Sequence, residues 1–100
     1  MNMNLRVLAE AQAELVEAVD WYAARDEYGE LADRFIEEAE RAKRLVRERP
    51  GAWPEVEPGV RRFVFRRFPF TLIYVVKPDE VLVLAVAHHS RRTSYWRDRH

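Results

Sequence analysis

The hydrophobic pattern of this chain changes period at Pro50-Gly51. Before that point, apolar side chains recur every three or four positions. After Gly59 they alternate or run on continuously. The first pattern belongs to helices with one buried face, the second to strands. Neither a helical stripe nor a sheet face can be buried alone, so a chain that carries both must pack one on the other.

Read along the chain, Leu5 to Leu8 forms a short strand and residues 10–27 a first helix, with Ala11, Leu15, Ala18, Val19 and Tyr22 on one face. Glu10, Glu14, Glu17 and Asp20 crowd this helix, and Glu10 suits its positive end. Ala9 is a weak cap. Gly29 separates a second helix over residues 30–49, with Leu31, Phe35, Ala39, Ala42 and Val46 inward and Ala32, Ile36 and Leu45 beside them. Asp33, Glu37, Glu38 and Glu40 give way to Arg41, Lys43, Arg44, Arg47 and Arg49, which favours the helix dipole, and Glu37–Arg41 and Glu40–Arg44 have i,i+4 spacing. Trp53 to Gly59 reads as a linker. Three strands follow: one around Phe63 and Phe65, one over residues 70–76 after Pro69, and one over residues 81–88 after the turn Lys77 to Glu80. The expected fold is β-α-α-β-β-β in a single domain over residues 1–100. It is an α+β sandwich of two layers, with an N-terminal strand and a helical hairpin backing a three-stranded antiparallel meander.

Charge is segregated in the same order. Residues 1–60 hold 14 acidic and 8 basic side chains, whereas residues 61–100 hold 3 and 9, so a formal net charge of zero conceals a strongly polar molecule. A basic half of this kind suits a phosphate backbone or an acidic protein surface. The absence of cysteine excludes disulfides and thiolate chemistry and is compatible with a reducing compartment. His88, His89 and His100 have no second ligand cluster, so no metal and no cofactor are expected. No leader precedes the first strand and no apolar run approaches the length of a membrane span, which leads to a cytoplasmic, membrane-free expectation.

Two clusters carry chemistry. Arg61, Arg62, Arg66 and Arg67 surround a strand, where alternation sends neighbours to opposite faces; guanidinium forks grip phosphate or carboxylate at two points. His88, His89, Arg91, Arg92, Tyr95, Trp96 and Arg97 leave the last strand as a basic, aromatic tail. A His with a Tyr or Arg can supply acid and base to a phosphodiester. The same side chains can instead grip a protein, and Trp96 by itself is better read as core. Trp21 should lie at the border of the first helix's buried face, and Trp53-Pro54 should lid one end of the sheet. There is no phosphate loop, no HExxH and no CxxC.

Several segments taken together resemble the RelE/ParE superfamily of type II toxin–antitoxin toxins. They are Glu14 to Tyr22, Pro50 with Trp53-Pro54, Arg61-Arg62-Phe63, Arg67-Phe68-Pro69-Phe70, Tyr74, and Val86-Ala87-His88 leading to Tyr95-Trp96. One branch resembled is that of ribosome-dependent endoribonucleases acting on mRNA. That likeness would make Arg61, Arg62, Arg67, His88, His89 and Tyr95 the catalytic candidates, with Glu55 or Glu57 as an acid. Thr71 stands where that branch carries a catalytic Arg, with Arg66 or Arg67 as neighbouring substitutes. The chain is more similar to the ParE-like branch. That likeness implies no catalysis, inhibition of DNA gyrase by protein–protein contact, and target binding through Arg66, Arg67, Arg91, Arg92, Tyr95, Trp96 and Arg97. Both branches imply a cognate antitoxin in a hetero-oligomeric complex, an acidic segment lying on the basic face, in the hairpin groove or along a sheet edge. A non-toxic binding module of the same fold is the plainer alternative.

Overall fold

The first strand, β1 (Asn4–Val7), runs straight into a helix, α1 (Ala9–Ala23). The structure is a computed structural model describing residues 3–100, so the first two residues of the expected domain lie outside it. α1 stops earlier than its periodicity suggests. The amides of Ala24 and Arg25 bond back to Asp20 and Tyr22, and the Asp26 carboxylate accepts from the amides of Tyr28 and Leu31, each at 3.0 Å. That carboxylate draws the chain out of α1 and supplies an acceptor for the start of α2 (Glu30–Glu48), whose preceding residue, Gly29, has φ of 76°.

Four more strands follow: β2 (Glu55–Glu57), β3 (Val60–Val64), β4 (Phe70–Val76) and β5 (Glu80–His88). They form one sheet with β1, in the order β1-β5-β4-β3-β2. The meander is antiparallel as expected, while β1 joins β5 in parallel. β2 is a finding against the linker expected at residues 53–59: Glu55 pairs with Arg61 at the edge of the sheet. A strand of three residues carrying two acids and flanked by prolines leaves little periodicity to read.

The hairpin covers one face of the sheet. Phe35 is fully buried and touches Tyr22, Phe65, Phe68 and Phe70 with ring centroids 5.1–5.8 Å apart. Leu31 and Ile36, expected inside, are about two-fifths exposed on the outer side of the hairpin. The ion pairs on α2 are Glu38–Arg41 at 3.0 Å and Glu40–Lys43 at 2.8 Å, in place of the two i,i+4 pairs. Glu38 turns inward to accept the backbone N–H of Arg66, which leaves Glu37 in solvent and brings Arg41 down onto its near neighbour.

The other face of the sheet is not simply open. Trp96 returns over it, 5% exposed, against Val60, Ile73, Val75, Leu82 and Leu84. The tail therefore forms a partial third layer. A bulge makes room for it: pairing steps from Ile73↔Ala85 to Tyr74↔Val83, leaving Leu84 as the extra residue. Leu84 and Ala85 consequently both belong to the tail-side cluster, while Val83 and Val86 face the hairpin.

Phe35→Ala removes the ring on which the four other aromatics converge. It should lower stability by about 3–5 kcal/mol, read as a reduced urea midpoint at unchanged slope. A loss below about 1 kcal/mol would mean that α2 does not close this core.

Candidate functional site

β1 ends at Val7, opposite Val83, so the upper half of β5 has no strand beside it on that side. Side chains take over the exposed edge. Glu14, on the buried face of α1, accepts the N–H of Val86 at 3.0 Å, the hydroxyl of Tyr95 at 2.5 Å and the guanidinium of Arg99 at 2.9 and 3.1 Å. Arg99 in turn donates to the Leu84 carbonyl at 3.0 Å. The orphaned amide and carbonyl of β5 are thus matched by a carboxylate and a guanidinium. Glu14 is only 12% exposed and Arg99 16%. Arg91 stands at the same carboxylate at 4.0 Å, with its guanidinium 4.0 Å above the Tyr95 ring.

Burial, and then the hydrogen bond to Glu14, raise the Tyr95 hydroxyl well above the ordinary phenol value. Tyr74 is pushed up to about 12, chiefly by burial; its hydroxyl donates to the Pro50 carbonyl at 2.7 Å. Neither phenol is placed to act as a proton donor or acceptor for a ligand near neutral pH.

The expected site residues divide into two groups. Arg61 folds back toward the hairpin, donating to the Trp53 carbonyl at 2.6 Å and pairing with Glu55 at 3.7 Å. Arg97 pairs with Glu57 at 2.7 Å and holds its carboxyl below the usual carboxylate range. Trp96 is core, as it reads by itself, and not part of a target surface: it is buried against Val60, Ile73, Val75, Leu82 and Leu84 on the tail side of the sheet. Tyr95 lies between Arg91 and Arg99 with its hydroxyl engaged. His88 Nδ1 meets the Ser90 hydroxyl at 2.7 Å, and His89 Nε2 meets the Thr71 hydroxyl at 2.9 Å.

The second group is unmatched. Among the described residues, the side chains of Arg62, Arg66, Arg67 and Arg92 make no ion pair or hydrogen bond, and all four are exposed. Arg66 and Arg67 lie in the β3–β4 turn, while Arg62 stands mid-strand on the tail side of β3, opposite Ile73. The β3–β4 turn is closed by Phe65 N–H donating to Phe70, and the His89 N–H donates to Pro69 of that turn at 2.8 Å, three residues before Arg92. Arg67 has φ of 63°, a left-handed conformation that costs a non-glycine residue roughly 1–2 kcal/mol.

Between α1 and the upper edge of β5 lies a cleft of about 460 Å3, with Trp21, Glu17, Phe70, His88 and Arg91 among its walls. Trp21 is 52% exposed and carries the Arg25 guanidinium at 3.6 Å on its ring. A smaller cleft of about 200 Å3 runs between the helices, with Val16, Val19, Ile36 and Lys43 on its walls. No helix among the described residues is long and apolar enough to cross a membrane, and no group of His, Cys, Asp and Glu among them could hold a metal ion.

Glu14 was missed as a site residue, although its position carried a signal. It falls three after Ala11 and four before Ala18, on the buried stripe, where a carboxylate requires partners. Arg99 gave none, being the last arginine of a polar tail.

The family model described as the ParE toxin of type II toxin–antitoxin systems, parDE, matches residues 5–93. Among solved structures, the chain is similar to one from the chromosomal ParDE toxin–antitoxin system of P. aeruginosa. The TM-score is 0.74 at 24% identity, covering 86% of this chain and 95% of that one, a likeness of fold. No curated protein matches significantly.

Glu14→Gln would leave Arg99 facing a neutral amide and should cost about 3 kcal/mol in denaturant unfolding near neutral pH. The raised Tyr95 phenol adds an alkaline dependence. Its contribution is complete below the unfolded phenol value of about 10 and is lost as pH rises through the folded value. The wild type should therefore weaken progressively above about pH 10, and Tyr95→Phe should weaken less steeply there. Equal slopes would remove Tyr95 from the linkage.

Proposed function

The chain belongs to the ParE toxin family of type II toxin–antitoxin systems, and from that premise we propose that it inhibits DNA gyrase by protein–protein contact, without catalysing a reaction. As a toxin component it has a cognate antitoxin; the target is the inferred part.

The observation that carries the reading is the state of the groups an RNA-cleaving relative would use. Arg61 is bound to linker carbonyls on the hairpin side, Arg62 is on the opposite side of β3, and Tyr95 is committed to Glu14. Thr71 has no positive charge to offer a phosphodiester transition state, and its hydroxyl is tied to His89. General acid–base cleavage needs a donor and an acceptor within hydrogen-bond reach of the same phosphate. Arg61, Tyr95 and Thr71 are instead engaged in structural bonds, and Arg62 lies on the other face of β3. The groups left for a partner are the unmatched arginines at the β3–β4 end, together with Arg91 where it borders the large cleft. Recognition of a macromolecular target fits that arrangement better than chemistry does.

The antitoxin has two suitable places. The inter-helix groove exposes Val16 and Ile36, as an amphipathic segment requires, and the unmatched arginines suit an acidic stretch that folds on binding. An antitoxin on the basic end would mask the surface that reaches the target.

Purified gyrase should lose supercoiling activity when the toxin is added and regain it with the cognate antitoxin. Primer extension on messages from cells expressing the toxin should show no codon-positioned cuts. Unaffected gyrase together with such cuts would transfer the chain to the mRNA-cleaving branch.

A further inference from the structure

We propose that the β3–β4 end of the sheet contacts the phosphate backbone of duplex DNA, so that the toxin touches the DNA held by its target as well as the target protein. The inference deepens the gyrase reading, but its test needs no gyrase.

The first observation is how charge is distributed along the sheet. Between Pro58 and Pro78, and again between Val81 and Arg97, there is no acidic residue. The intervening acids, Asp79 and Glu80, lie in the β4–β5 turn and the start of β5, at the opposite end of the strands. Glu80 is already paired with Arg6. Unbonded arginines also occur on α2, but there Glu37, Glu40 and Glu48 are interleaved among them. At the β3–β4 end, the nearby Glu38 and Glu14 are buried and occupied by Arg41, the Arg66 amide, Tyr95 and Arg99. Beside β3, Glu55 and Glu57 on β2 pair with Arg61 and Arg97, so Arg62, Arg66, Arg67 and Arg92 make no ion pair with any described acid.

The second observation is shape. Arg62, Val64, Thr71, Ala87 and His89 lie on the tail side of the sheet, where Val64, Thr71 and Ala87 align across three strands. Trp96 covers the strands farther along, leaving Val64 52% exposed. A short strip of small exposed side chains, with Arg62 on it and Arg66 and Arg67 in the adjoining turn, can follow a backbone. It offers no exposed aromatic ring for unstacked bases: Phe65 and Phe70 are buried, Phe68 packs on Tyr22 and Phe35, and Tyr95 is covered by two arginines. Single-strand binding relies on such stacking platforms, whereas duplex phosphate contact does not.

The third observation is Arg67. A left-handed residue in a tight turn is ordinarily glycine or asparagine. Carrying arginine there opposes the local backbone preference, and the guanidinium placed at the tip of the turn is the compensating feature.

The test is fluorescence anisotropy of a labelled duplex of about 20 base pairs with the full-length toxin, titrated across salt. Four phosphate contacts give a slope near −3.6 in log K against log[salt], so affinity should fall on the order of 100-fold between about 50 and 200 mM. Arg62→Ala/Arg66→Ala/Arg92→Ala, with one contact remaining, should bind more weakly and lose only about 3–4-fold over the same range. Its thermal midpoint should match the wild type. Arg67→Gly should flatten the slope by about 0.9 while raising or preserving the midpoint, an outcome that a purely structural role for Arg67 would not produce. Absence of duplex binding by the wild type, or an unchanged slope in these variants, would overturn the proposal. Tighter binding to single-stranded RNA than to duplex, lost in the same variants, would also overturn it. Failure to inhibit gyrase alongside a normal duplex titration would count against the gyrase reading alone.

Discussion

The structure depends on a carboxylate that stands in for a missing strand. β1 ends halfway along β5, and the unpaired amide of Val86 and carbonyl of Leu84 would be costly to leave without partners beneath α1. Glu14 and Arg99 supply those partners and bond to each other. Because Arg99 lies in the tail and Glu14 is in the first helix, one ion pair ties together the helix, the sheet edge and the tail. Tyr95 joins the same carboxylate and brings Trp96 over the tail side of the sheet. The cluster also limits strand addition at that edge by leaving few free backbone groups.

This arrangement separates arginines that look alike in sequence. Arg61, Arg97 and Arg99 are held by acids or carbonyls and contribute to the architecture, Arg97 the least because its pair is solvent-exposed. Arg62, Arg66, Arg67 and Arg92 are left exposed and unpaired. A net charge of zero does not favour general polyanion binding, so unpaired guanidinium groups act only through their local excess over acids.

Much of this was legible in the order of residues. The helical stripes of Ala11 to Tyr22 and Phe35 to Val46, the stop at Pro50-Gly51 and the alternation from Phe70 to Val76 are local, and they placed the hairpin and the meander close to where they are. What was not legible is non-local. The β2 strand exists only because β3 lies beside it, and the bulge at Leu84 answers to Trp96 twelve residues later. Arg61 and Arg62 are adjacent and chemically identical, yet alternation gives one to the linker carbonyls and the other to solvent. The pairing of Arg97 with Glu57, across a sheet edge whose strand was read as linker, could not be foreseen from spacing.

The division of the arginines is tested most directly by an alanine scan read in two ways, by unfolding midpoint and by inhibition of gyrase supercoiling per folded molecule. Arg61 and Arg99 variants should lower the midpoint and keep inhibition, whereas Arg62, Arg66 and Arg92 variants should keep the midpoint and lose inhibition. Full inhibition after removal of Arg62, Arg66 and Arg92 together would contradict the assignment of that end of the sheet to the target.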